Sequence, residues 1–122
     1  MRKVKALLLV VGLVFSGTQG ASAHAELVKS FPIANSTLTK APRYVQLEFG
    51  EAIVTLKSKN ANSIVVLDSK AKKIETSKIA IKKAVARVEF MGTLKPGKYL
   101  VKYRIASADG HILTAQYKFT LS

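Results

Sequence analysis

The chain carries two histidines and no cysteine. Its nitrogen chemistry therefore rests on His24 and His111. His24 follows Ala21-Ser22-Ala23, and Ala21 and Ala23 supply small residues at the −3 and −1 positions of a signal-peptidase cut. Cleavage after Ala23 makes His24 the first residue of the mature chain. Its α-amine and imidazole Nδ1 can then close a six-membered chelate ring on one metal ion. His111 ends the turn Ser107-Ala108-Asp109-Gly110-His111, with the Asp109 carboxylate two residues before it. Two imidazoles, an amine and a carboxylate form a nitrogen-rich set. In a tetragonal arrangement such a set favours Cu(II), which tops the divalent affinity series. Zinc also accepts His and Asp, usually tetrahedrally. Asp-Gly is an ordinary turn signal as well, so the chemistry depends on whether the fold brings the two histidines together. Thiolate metal sites, disulfides and thiol catalysis are excluded.

The segment ahead of His24 has the three parts of a secretory signal. Arg2, Lys3 and Lys5 make a positive n-region, and Ala6 to Phe15 is an apolar run too short to span a membrane, which takes about 20 residues. Ser16 to Gly20 breaks it before the cleavage site. Residues 1–23 are therefore expected to be a signal peptide, and 24–122 a single domain outside the cytoplasm, with no stable membrane insertion of the mature protein. Whether that space is a periplasm or a cell-wall space stays open.

The net charge is +13, and Arg2, Lys3 and Lys5 account for three of those charges. A basic balance invites a nucleic-acid or anionic-membrane partner. The basic residues are spread, with local density at Lys70, Lys72, Lys73, Lys78, Lys82 and Lys83. No arginine-rich helix, aromatic RNA-binding motif or finger spacing accompanies them, so nucleic acid is not expected as a partner. The lysine face reads as solvated, with an acidic partner or anionic lipid headgroups as the functional alternative.

The elements that must position the histidines read as strands. Ala25 to Phe31 and Tyr44 to Phe49 are strands, the latter with Val45, Leu47 and Phe49 on one face. Gly50-Glu51-Ala52 is a bend or bulge, and Ile53 to Lys57 could continue the strand. Ile64 to Leu67 is short and β-branched. Lys72 to Lys82 favours strand over helix because its isoleucines suit a pleated surface. Ala84 to Phe90 alternates, with Ala84, Ala86, Val88 and Phe90 on one face. Leu94 to Tyr99 reads as a type II turn with Pro96 and Gly97 at its centre. It leads into Tyr99 to Ile105, with Tyr99, Val101, Tyr103 and Ile105 together. Ala115 to Leu121 closes the chain, with Tyr117, Phe119 and Leu121 on one side. Many short strands separated by turn signals predict an all-β sandwich.

On these residues the chain resembles the CopC-like periplasmic copper-binding proteins. His24-Ala25-Glu26-Leu27-Val28-Lys29-Ser30-Phe31-Pro32 is similar to their H-x-x-L-x-x-S-x-P opening. Leu47-Glu48-Phe49-Gly50-Glu51 resembles their L-x-F-S-E strand end, and Leu94 to Tyr99 their L-x-x-G-x-Y entry. Tyr103 to His111 resembles W-R-V-x-S-x-D-G-H. The matches run in order across nearly the whole mature chain. The resemblance implies a Greek-key, immunoglobulin-like β-sandwich. It implies a Cu(II) site made by the His24 amine and imidazole, His111 and Asp109. Glu51 matches the family's conserved glutamate and would ligate or hydrogen-bond near the N-terminus; on its residue type alone, a solvated strand-end carboxylate is as good a reading. The Met-rich Cu(I) loop that some members carry has no counterpart, since only Met91 lies beyond the signal segment. Gly50 and Ala115 depart from the family's Ser and Gly at non-ligand positions.

The function expected from this reading is a Cu(II) carrier or buffer in copper resistance or delivery, not an enzyme, with a membrane copper transporter as a possible partner. Two alternatives compete. One is a copper oxygenase built on an N-terminal histidine, against which the lack of tryptophan and of aromatic glycan-binding surface counts. The other is a β-sandwich interaction module with incidental histidines.

Overall fold

A computed structural model describes residues 26–55 and 61–122. His24 and the predicted signal segment lie outside them. The described chain forms eight strands: β1 (Leu27–Phe31), β2 (Thr37–Leu38), β3 (Tyr44–Phe49), β4 (Ser63–Leu67), β5 (Ala80–Lys82), β6 (Val85–Glu89), β7 (Gly97–Ala106) and β8 (Ile112–Leu121). They make two four-stranded sheets, ordered β1-β3-β6-β5 and β2-β8-β7-β4. The chain changes sheet at each of its first four connections, and only β5–β6 and β7–β8 are local antiparallel hairpins. The fold is the all-β sandwich that the strand spacing predicts, with the Greek-key connectivity that the resemblance implies.

Alternation of apolar and polar residues builds the core. Val45, Leu47 and Phe49 of β3 face Val101, Tyr103 and Ile105 of β7, and all six are buried. Ala86 and Val88 extend the same layer on β6, and Phe119 and Leu121 on β8. Tyr99 stacks on Phe119 with ring centroids 5.2 Å apart, and Phe49 meets Tyr103 edge-on at 5.7 Å. Burial of this inner layer is the main favourable term holding the two sheets together.

Some expectations give way. Gly97 has φ 153°, far from the roughly +80° of a type II turn, and is already the first residue of β7, paired with Leu121. Between Lys72 and Lys82 only Ala80–Lys82 is a strand; Lys73 and Thr76 make single bridges. The lysines there interrupt any apolar alternation a longer strand could bury. Beyond β3, Ile53 makes one bridge to Ser107, and residues 53–55, the described part of the expected continuation, form no strand. The irregularity expected at Gly50 falls on the facing strand, between Leu27 and Lys29. β8 starts at Ile112, three residues before the alternating run, because it pairs with β7 up to the turn.

Register fixes which loops share an end of the sandwich. Leu27 pairs with Phe49, Ser63 with Arg104, and Ala106 with Ile112. Glu26, the 50–53 bend, Asn62 and the 107–111 turn therefore gather at one end. The loops 40–43, 68–75 and 91–96 gather at the other.

Candidate metal centre

The turn joining β7 to β8 has five residues, Ser107 to His111, so Asp-Gly does not form a two-residue hairpin here. The Ser107 amide donates to the His111 carbonyl at 2.9 Å, and the Gly110 amide to the Ser107 carbonyl at 3.0 Å. Gly110 takes φ 92°, a conformation open to glycine at little cost.

Asp109 is tied into this turn through both carboxylate oxygens. Oδ1 accepts from the His111 backbone N–H at 3.0 Å and from the Ser107 hydroxyl. Oδ2 lies 3.0 Å from His111 Nδ1. Ser107 is itself buried, so its hydroxyl is a fixed donor. The Ser107 hydroxyl, then the His111 amide and ring, hold the Asp109 carboxyl well below the usual carboxylate range. Side-chain exposure is 24% for Asp109 and 71% for His111, so the carboxylate is held in while the imidazole is offered outward.

Donor geometry can be compared with what one metal ion needs. Bonds of about 2 Å to imidazole nitrogen and carboxylate oxygen, at a right angle, put two cis donors about 2.8 Å apart. The Oδ2 to Nδ1 separation of 3.0 Å is close to that bite. The residues present thus fit two adjacent positions of a tetragonal ion, with Oδ1 kept for the turn.

The surrounding backbone ties the neighbouring segments to the turn. Asn62 is buried and ties the segment after β3 to β7: its Nδ2 donates to the Val54 carbonyl and its Oδ1 accepts from the Ala106 amide, both at 2.8 Å. The Ala108 amide donates to the Ala52 carbonyl at 3.1 Å, and the Gly50 amide to the Glu26 carbonyl at 2.9 Å. Glu51 lies between these last two ties, half-buried. A continuous path thus runs from Glu26 through the 50–52 bend to the turn that carries Asp109 and His111. Among the described residues, which exclude His24, no three His, Asp or Glu side chains form a metal cluster. Ser107 and Asn62 were not singled out in the sequence; a buried polar side chain beside this turn is visible only once the strands are in register.

Comparison with known proteins identifies the family of the chain. The family model of the CopC domain matches residues 27–122. A curated relative, the copper transport protein CutJ of Bacillus subtilis, is 31% identical over 94% of this chain, and the chain spans only 21% of its length. The crystal structure of CopC from Methylosinus trichosporium OB3b superposes with a TM-score of 0.69 at 32% identity, covering 81% of this chain and 94% of that one. That of PcoC, a methionine-rich copper resistance protein from Escherichia coli, gives 0.68 at 27% identity, covering 82% and 100%. By its strand order, its turn and its match over residues 27–122, the chain belongs to the CopC family.

Proposed function

We propose that this chain is an extracytoplasmic Cu(II)-binding protein that carries or buffers copper as cargo in copper resistance or delivery. The observation that carries the reading is the 3.0 Å approach of Asp109 Oδ2 to His111 Nδ1. Relatives and neighbours named for copper support the choice of metal. So does the donor chemistry, since imidazole with carboxylate suits tetragonal Cu(II).

His24 completes the site in this reading. It stands two residues before Glu26, and two extended residues reach about 7 Å. Glu26 is bonded to the bend that in turn bonds to the Asp109 turn, which supports a short path from the N-terminal amine to His111. The ligands are then the His24 amine and imidazole, His111 Nδ1 and Asp109 Oδ2. Glu51, on the bend bonded to Glu26, is a further candidate carboxylate in this reading. Cleavage after Ala23 acts as a maturation step, because the amide nitrogen of an uncleaved His24 is a poor ligand at neutral pH.

Calorimetric titration of the processed protein with Cu(II) tests the proposal. One tight equivalent, weakened by His24→Ala and by His111→Ala, is expected. Absence of tight binding, or indifference to both substitutions, would refute it. Oxidation of a glycan by the copper-loaded protein with ascorbate or peroxide would move the reading to an oxygenase.

A further inference from the structure

The end of the sandwich opposite the candidate metal centre carries an open cleft of about 660 Å³. Its walls are the 68–75 loop and the 92–99 segment, and five lysines line it: Lys70, Lys72, Lys73, Lys95 and Lys98. Asp68 and Glu75 are the carboxylates of the lining. Asp68 is committed to building the loop. Its Oδ1 accepts the Lys70 and Lys72 amides, both at 2.9 Å, around Ala71 at φ 64°. This turn holds Lys70 and Lys72 on the outside, and all five lysines are exposed. A second cleft shares Gly92 and Thr93 with the first and adds Lys40, Arg43 and Met91. Met91, which lines the second cleft next to the shared Gly92, is 67% exposed.

We propose that this end of the molecule is a docking surface for anionic phospholipid headgroups. Charge complementarity selects an anionic partner, since lysines outnumber carboxylates five to two in the main cleft. Lysine rather than arginine supplies that charge. A set of strongly hydrated point charges suits a diffuse anionic sheet better than one bidentate phosphate. The groups sit on the 68–75 and 91–96 loops and on Lys98 at the start of β7, all around one end, and juxtamembrane basic clusters are attracted to anionic lipid in this way. Met91 is an exposed apolar side chain in the adjoining cleft that can enter the headgroup layer. β7 runs the length of the sandwich, and its ten residues at about 3.3 Å each put the two ends roughly 30 Å apart. Docking by the basic end therefore leaves the Asp109–His111 turn facing away from the bilayer. It also places the lysine potential several Debye lengths from an incoming Cu²⁺. The inference stands on the charge layout alone and does not depend on copper binding.

The test uses the full sequence expressed with export, the recovered form being defined by mass spectrometry. Co-sedimentation is measured with equimolar phosphatidylglycerol–phosphatidylcholine vesicles and with pure phosphatidylcholine vesicles. Binding to the anionic vesicles only, reduced by salt, is expected. The variant Lys70→Gln/Lys72→Gln/Lys73→Gln/Lys95→Gln should weaken it by roughly tenfold or more. A variant of equal charge change on the strand faces, Lys29→Gln/Lys82→Gln/Lys102→Gln/Lys118→Gln, should retain most of it. Protection of the five cleft lysines from acetylation by bound vesicles supplies a readout that needs no variant. No binding to anionic vesicles, equal loss in both variants, or no protection would overturn the proposal. Capture of a polyglutamate peptide without vesicle binding would overturn it in favour of an acidic protein segment.

Discussion

Asp109 reaches His111 twice across Gly110, once through its backbone N–H and once through its ring Nδ1, each at 3.0 Å. The first contact fixes the turn and the second sets the ring beside a carboxylate oxygen. One side chain thus both shapes the loop and presents the donor pair. The buried hydroxyl of Ser107 anchors it from the side of the core.

That anchor gives a first expectation. Ser107→Ala removes the hydroxyl donor without touching a proposed ligand. Partners that orient metal ligands are typically worth 10–100-fold in affinity, so a loss of about tenfold in Cu(II) affinity is expected. Competition against a chromophoric chelator measures it. Circular dichroism should show an unchanged sandwich, and unaltered affinity would remove Ser107 from the site.

The pH dependence has two separate parts. Copper affinity should fall on acidification, because both imidazoles and the amine must lose protons to ligate. Asp109 does not set that fall, since its carboxyl is held below its ordinary value of 3.8. For stability the sign follows from the same depression. The contribution is present above the unfolded-state value and is lost as pH drops through the lower folded one. The stability gap between the parent protein and Asp109→Asn, followed by urea unfolding of the metal-free forms, should be constant above about pH 5 and shrink below about pH 4. A gap that grows on acidification would contradict the assignment.

Asn62 offers a test of how the site end is held. Its amide satisfies the Val54 carbonyl and the Ala106 amide inside the protein. Asn62→Ala leaves buried backbone groups without those partners, at a cost of about 1–3 kcal/mol. The midpoint of denaturant unfolding should drop accordingly, with the slope unchanged. Asn62→Asp keeps one acceptor for Ala106 and should lose less than full truncation only if that bond dominates.

Tyr117 is expected to behave in the opposite sense. Its hydroxyl is buried without a hydrogen-bond partner among the described residues. The Ser30 side chain is its polar neighbour, and that hydroxyl donates its own proton to the Pro32 carbonyl at 3.1 Å. Burial pushes the phenol's pKa up. Tyr117→Phe should therefore be neutral or stabilising by up to about 1 kcal/mol. Holding Tyr117 protonated contributes stability present below its ordinary value of 10.0 and lost above it. The variant should escape that alkaline loss. Destabilisation by Tyr117→Phe would show that the hydroxyl is satisfied in solution.

Much of this was legible in the residues. β3 and the buried face of β7 follow from strict alternation, since a strand with one face in the core repeats every two residues. Asp109 and His111 stood out because the chain's two histidines fall at the expected mature N-terminus and in this turn, with a carboxylate two residues before the second. The lysine cleft did not. Lys95 and Lys98 are about twenty-five residues from Lys70 in sequence, and only the pairing of β4 with β7 brings their loops together. Lys82 and Lys83, which looked part of one basic run, belong to the β5–β6 hairpin, where the Lys83 carbonyl accepts from Ile53 near the opposite end. Long-range register, invisible to local spacing, sorted the charges. It also revealed Ser107 and Asn62, whose roles depend on burial and not on type.

The most direct measurement compares Cu(II) affinity for the form that begins at His24 with one carrying a single extra glycine before it. The extension keeps every side chain and converts the His24 amine to an amide. If the amine shares copper with Asp109 and His111, affinity should fall by at least about tenfold, the smaller effect expected for disturbing a metal's surroundings. Equal affinity in the two forms would contradict a site built on the N-terminal amine.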